Sequence, residues 1–493
     1  LHGLIKALQP GNYQDYKLKE IEDIILQSAG LLTESNTSQA NYVIGQPAQI
    51  SDEIIVRNPG VKVRLIAIDQ QVIKEDLPHN ETRKYVTNKT YDQWTQPFWL
   101  ENPHTLGKFQ IDENHFGLAE NPNKPGTVFQ VEVAGLPIQI KTPTAYKYVD
   151  PVEGEIHQPI VVSPKFVGRL ESNNVLLKNG EGQSVRLRIK NQSTQQTNAQ
   201  LSFENLEGFV IAIDEQEKNI SLDPGQEISK TIQISNPNNR QKGDIKILLN
   251  GEPLYFDKHI AYKHIPEITW FENLTIRVHA MDLVNPVKKI AFIPGAGDLI
   301  PSSLENIGIK VDQISEEQIN PQTLQQYDAV ILGVRAFNIN KQIAQWQTEL
   351  LSYVQNGGTV LVQYNVSSPL ATDKLGPYPF VITRDRVTQE DSPVKFLLPE
   401  DPALNYPNKI TPADFQDWIQ ERGLYFATEV DDHYRTPLAL ADENEQAHPG
   451  SLLISNYGKG KFVYTSISFF RQLPAGIPGA YRLFVNLLAK EEK

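Results

Sequence analysis

The chain has 493 residues and no cysteine, which excludes thiol nucleophiles, disulfides and every cysteine-ligated metal site. Lys and Arg number 46 against 59 Asp and Glu, a net charge of -13. Nucleic acid and anionic bilayers both demand clustered positive charge, so neither is expected as a partner. No apolar run reaches the roughly 18 residues that a membrane span needs.

Residues 1–35 predict helix, because Leu18, Ile21, Ile24, Ile25, Leu31 and Leu32 recur near a 3.6-residue period between charged positions. The chain opens on Leu1 and its one methionine is Met281, so a piece of a longer protein is expected. From about 40 to 155 the pattern turns to short β-branched runs, 49–56, 62–68 and 127–133, with Asn58-Pro59-Gly60 as a turn. Tyr91, Trp94, Phe98 and Trp99 crowd the interval between them. Such aromatics suit either a sugar or, more plainly, a core or a seam between domains.

A second β unit follows from about 160 to 268. Val185, Leu187 and Ile189 alternate with Arg186, Arg188 and Lys190, and Asp223-Pro224-Gly225 makes a turn. Short strands at this spacing predict an immunoglobulin-like sandwich. Beyond it the rhythm becomes strand–helix–strand. Strands are predicted at 289–293, 327–333 and 359–363, helices at 299–307 and 342–355, with Gly357-Gly358 as the stop. This alternation implies a parallel sheet covered by helices. The expected division is therefore a helical segment over 1–40, a β-sandwich over 41–158, an immunoglobulin-like sandwich over 159–268 and an α/β domain over 269–493.

Motifs for chemistry are sparse. Pro294-Gly295-Ala296-Gly297 lies between a strand and a helix, where an anion could sit, but lacks the third glycine of a dinucleotide fingerprint and the lysine of a P-loop. Asp431-Asp432-His433 is the densest metal-like string, and adjacent residues rarely converge on one ion. Ser367 and Ser368 follow a strand end without a Gly-x-Ser-x-Gly elbow. The polar group that stands out lies at strand ends, where open α/β sheets bind ligands: Arg335 and Asn338 after one strand, Gln363, Tyr364 and Asn365 after the next. Arg384, Arg386, Arg422 and Arg471 add forked donors suited to carboxylate, phosphate or sugar hydroxyls. The rival reading pairs these arginines with Asp385, Glu390, Asp391 and Glu421 to fix long loops.

Several stretches carry a family resemblance: Gly333-Val334-Arg335-Ala336-Phe337-Asn338 within 327–338, then 356–365, 375–379 with 384–388, 405–410, 420–426 and 468–476. Together they resemble the C-terminal part of large bacterial PIG-L/LmbE-like deacetylases, with the preceding β modules similar to the spacer region. The resemblance implies a zinc-dependent N-acetylglucosamine de-N-acetylase whose catalytic domain precedes Leu1. It implies no cofactor in this chain, that upstream domain as a partner, a glycan as a possible ligand and an exported bacterial protein. The family's Ala-His-Pro-Asp-Asp signature finds only Ala447-His448-Pro449-Gly450 here, without the aspartates. The α/β unit also resembles a class I glutamine-amidotransferase-like, flavodoxin-related domain. Its nucleophile position falls on Tyr364 or Asn365, and its base position near Thr465–Ser468, so neither catalytic group is present. The implied role is a non-catalytic accessory region whose tentative ligand residues are Arg335, Asn338, Gln363, Tyr364, Asn365, Arg384, Arg386, Glu421, Arg422 and Arg471. The alternatives are a hydrolase using Glu421 or Asp385 as acid/base, and a purely structural assembly region.

Overall fold

The computed structural model describes residues 1–105, 108–205 and 207–491. Strands in several sheets dominate, and helices are few. The N-terminal helix spans Asn12–Ser28 and stops there because Gly30 adopts φ +59, the left-handed conformation that ends helices. The expected helix over 31–35 is thus a strand instead. Leu31–Thr37 pairs antiparallel with Pro47–Val56 and enters an eight-stranded sheet. The apolar period misled there: Ile24 and Leu32 are exposed, and the helix packs on the sheet through Ile25, Leu26 and Ala29.

The next unit is two six-stranded sheets closed over one core of Val185, Leu187, Ile189, Ile232, Ile245, Ile276 and their neighbours. In Gln183–Asn191 the strict alternation puts every second side chain inward, as the period of two requires. Each fully buried aliphatic side chain contributes about 1.5–3 kcal/mol. The division expected at 268/269 falls in the wrong place. Ile268–Asn273 pairs in one of these sheets and Thr275–Met281 in the other, so the unit ends after Met281.

The third sheet runs in the order Lys310–Gln313, Lys289–Ile293, Ala329–Leu332, Thr359–Gln363, Gly460–Thr465, Leu452–Tyr457. The first five of these pair parallel and the last antiparallel. Successive residues of each central strand enter different cores. Ile290, Phe292, Ile331 and Leu361 join the helix Pro478–Leu488, whereas Ile293, Val330, Leu332 and Val360 join the helix Ile343–Gln355. Both faces are therefore covered, which is why these strands read as unbroken apolar runs. Between Gln363 and Leu452 the chain makes a long excursion carrying three short two-stranded ribbons, 381–382 with 427–428, 386–387 with 423–424, and 394–396 with 438–440. Tyr425 of this excursion reaches Tyr364, just past Thr359–Gln363, while Asn408 bonds Val284 ahead of Lys289–Ile293.

Candidate functional site

The strand ends meet in a small set of side chains. After Ala329–Leu332 the chain turns sharply and starts a short helix, Ala336–Ile339, with Arg335 at φ 58. An L-residue held left-handed costs roughly 1–2 kcal/mol, and such residues cluster where geometry serves a ligand. Arg335 donates its backbone N–H to the Tyr364 carbonyl at 2.8 Å, tying the two strand ends together. Its Nε is buried and has no hydrogen-bond partner among the described residues.

Tyr364 lies between two rings, Tyr425 stacked at 6.3 Å and Phe470 at 5.1 Å. Tyr425 also sits in the left-handed region, at φ 60. The Arg386 guanidinium lies 6.0 Å from the Tyr425 ring and that of Arg471 4.9 Å from Phe470. Arg386, Tyr425, Tyr364, Phe470 and Arg471 thus form a ladder in which aromatic faces carry cations at both ends. Arg471 Nε donates to Glu421 at 2.8 Å. Burial pushes the Tyr364 phenol above its ordinary range, while Arg335 and Arg471 pull it down.

The structure does not bring all the predicted residues together. Arg335, Tyr364, Arg386, Glu421 and Arg471 come together. Arg384 is exposed and forms no ion pair among the described residues. Asn338, Gln363 and Asn365 are spent on the fold. Asn338 bridges Val366 and Pro369, Asn365 accepts from Phe337 N–H at 2.9 Å and donates to Gln363, and Gln363 donates to Asp298. Arg422 is a correction. It is 3% exposed, and its guanidinium donates to the carbonyls of Ser392 and Phe415 while lying over Trp418. No ligand reaches it. Burial brings it down to about 10.

Asp298 was missed. It follows the Pro-Gly-Ala-Gly turn and accepts from Val334 N–H at 3.1 Å, Ile300 N–H at 3.0 Å and Gln363 Nε2 at 3.3 Å. Burial raises its carboxyl, and those donors act against the rise. The one signal was an acid just ahead of a helix, a residue type whose side chain accepts from the backbone N–H two positions on. The turn itself does not cradle an anion: Ala296 N–H already donates to Val334, and a Cβ at Gly295 would lie 2.1 Å from the Val334 carbonyl oxygen. The close approach is to protein backbone.

Other predicted motifs resolve locally. His433 hydrogen-bonds Asp431 at 2.6 Å and stacks on Tyr378. No cluster of His, Asp and Glu suited to a metal occurs among the described residues. Glu421 faces Arg471, and Asp385 accepts from Thr383 at 2.6 Å, so the two acids of the hydrolase reading each have a local partner. Of the arginines expected to pair with Asp385, Glu390, Asp391 and Glu421, only Arg471 makes such an ion pair among the described residues. No helix of the described residues is long and apolar enough to cross a membrane.

No protein-family model matches the chain, and no curated protein matches it. Solved structures give partial overlaps. The exo-β-1,4-mannosidase Op5Man5 from Opitutaceae bacterium strain TAV5 is 13% identical, covering 41% of this chain and 35% of its own, at a TM-score of 0.25. The β-galactosidase from Rahnella sp. R3 is 16% identical over 41% of this chain and 31% of its own, at 0.24. Red sea bream transglutaminase is 11% identical over 55% and 34%, at 0.25. The match spans about a third of each of these proteins, and at such scores no functional argument follows.

Outside the strand-end ladder, the aromatic segment 92–104 crosses the edge of the second unit. Gln96 accepts from Phe271 N–H at 3.0 Å and donates to the Phe271 carbonyl at 3.2 Å, closing an open edge as a neighbouring strand would. Trp94 meets Tyr255 at 4.8 Å. The seam reading of these aromatics accords with this geometry.

Proposed function

We propose that this chain is a non-catalytic accessory region, in which two β-sandwiches, the second immunoglobulin-like, space and orient a degenerate amidotransferase-like, flavodoxin-related domain. The parent is read as a PIG-L/LmbE-like N-acetylglucosamine deacetylase whose zinc belongs to an upstream domain, in an exported protein. The α/β domain binds a glycan bearing an acidic group. The observation that carries this reading is Arg335, whose strained backbone holds a guanidinium with a partnerless buried Nε at the carboxyl end of the sheet. A fork of this kind suits a carboxylate or phosphate, and the flanking aromatic rings suit the faces of a sugar.

Titration calorimetry of the chain with uronate oligosaccharides tests the reading. Binding is expected, weakened about tenfold or more by Arg335→Ala and by Arg386→Ala. If the folded chain binds no acidic glycan, the ladder instead docks on the upstream domain. Binding that survives both substitutions would remove the ladder from the account.

A further inference from the structure

The seam between the first two units holds a cavity of about 680 Å³, walled by the 92–104 segment on one side and the 255–273 ribbon on the other. It lies in a different unit from the strand-end ladder, and nothing in the reading above uses it. We propose that this cavity is a second ligand site, for a neutral oligosaccharide of about two or three pyranose rings, a size that suits its volume.

The chemistry of the wall argues for that class. Trp94 and Tyr255 are half-buried, with ring planes tilted 52° to one another, so each can offer a face to the C–H side of a sugar ring. Around them stand Asp92, Gln93, Glu101, Asn102, Glu272 and Asn273. These are carboxylates and amides, which together accept from and donate to hydroxyl groups in fixed planes. Neither lysine nor arginine lines the cavity among the described residues; Lys258 beside it is already paired with Glu272, which leaves His104 as the lining group that could face an anion. An amine is also poorly served. Glu272 already faces Lys258 at 2.8 Å, and Asp92 and Glu101 are exposed to solvent, which screens them. A polyol needs neither charge and uses both kinds of group.

The wall is also held in advance. Gln96 locks the segment to Phe271 and to the Leu100 carbonyl at 3.1 Å. Thr95 is bound to Val162 through its N–H at 2.9 Å. Trp270 Nε1 donates to Glu272 at 2.8 Å, fixing the carboxylate in the wall. A site whose polar groups are already ordered loses less entropy on binding. The second tryptophan of the segment, Trp99, points away to a separate cavity of about 590 Å³.

The test is titration of the whole chain with cellotriose, chitotriose and mannotriose, followed by tryptophan fluorescence and calorimetry, with spermine as a cationic probe. At least one neutral trisaccharide is expected to bind. Trp94→Ala should weaken it about tenfold or more, as loss of a central aromatic does. Gln93→Ala, an exposed position that the fold does not need, should weaken it several-fold. Trp99→Ala and Arg335→Ala should leave it unchanged, which separates this site from the acidic-glycan site. The proposal is overturned if no neutral trisaccharide binds the folded chain, if binding survives both Trp94→Ala and Gln93→Ala, or if spermine alone binds.

Discussion

Arg422 and Arg335 carry the same guanidinium into opposite surroundings. Arg422 is enclosed, with its donors committed to the Ser392 and Phe415 carbonyls and its plane laid on Trp418. Removing it strands those carbonyls without water, a loss of about 1–3 kcal/mol for each unmet group. Arg422→Ala should therefore lower stability by about 3 kcal/mol in urea unfolding. The folded fraction should bind acidic glycan as before, since the side chain's partners, Ser392, Phe415 and Trp418, are not residues of the ladder. Nothing in the sequence separates the two residues: each is an arginine outside the predicted strands and helices. What distinguishes them is which partners the 364–451 excursion brings near, and that is a tertiary fact. Tyr425 and Phe470 escaped notice for the same reason, because they reach Tyr364 from segments far away in the chain.

At the level of elements, periodicity was readable wherever an element was long and packed on one side. The helix Ile343–Gln355 buries Ile343, Trp346, Leu350, Tyr353 and Val354, the one-sided pattern that a 3.6-residue period requires. It stops at Gly357, whose φ of +106 few other residues tolerate. The ribbons of the excursion, two or three residues each, carry no period and left no trace in the sequence. The turn at Arg335 was visible as a polar strand end but not as a strained one. Its strain is measurable. Glycine occupies the left-handed region freely, whereas alanine keeps the Cβ that opposes it. Arg335→Gly should be about 1 kcal/mol more stable than Arg335→Ala. Both should lose acidic glycan. If the two variants unfold at the same urea concentration, the left-handed turn stores no strain.

Across the whole molecule, the second β unit and the parallel-sheet unit share a core. Leu176 and Met281 of the former pack in one cluster with Ile290, Leu304 and Leu487 of the latter. The connecting segment is pinned from both sides: Asn179 exchanges hydrogen bonds with Leu283, and Asn408 with Val284. His279 sits in this seam at 6% exposure, with Nε2 buried and unpartnered among the described residues, beside Gly476. Burial first, and then Arg277, hold its imidazole below the ordinary range, with Lys242 adding to the effect and Asp417 and Asp244 opposing it. The unfolded chain therefore takes up a proton at a pH where the folded seam still refuses one. Stability from this group is fully present above about pH 6.5 and declines as pH falls below it, by at most about 1.4 kcal/mol per pH unit, until the folded imidazole also protonates. Other groups titrate in the same range, so the informative quantity is a difference. Urea unfolding of the native chain and of His279→Gln, measured from pH 7.5 to 5, should show the variant losing less stability over that interval. Because the seam is shared, the loss should appear as one transition for both units together. Equal slopes would mean that His279 charges as easily in the seam as in water. A separate early transition of one unit would mean that the shared core does not couple them.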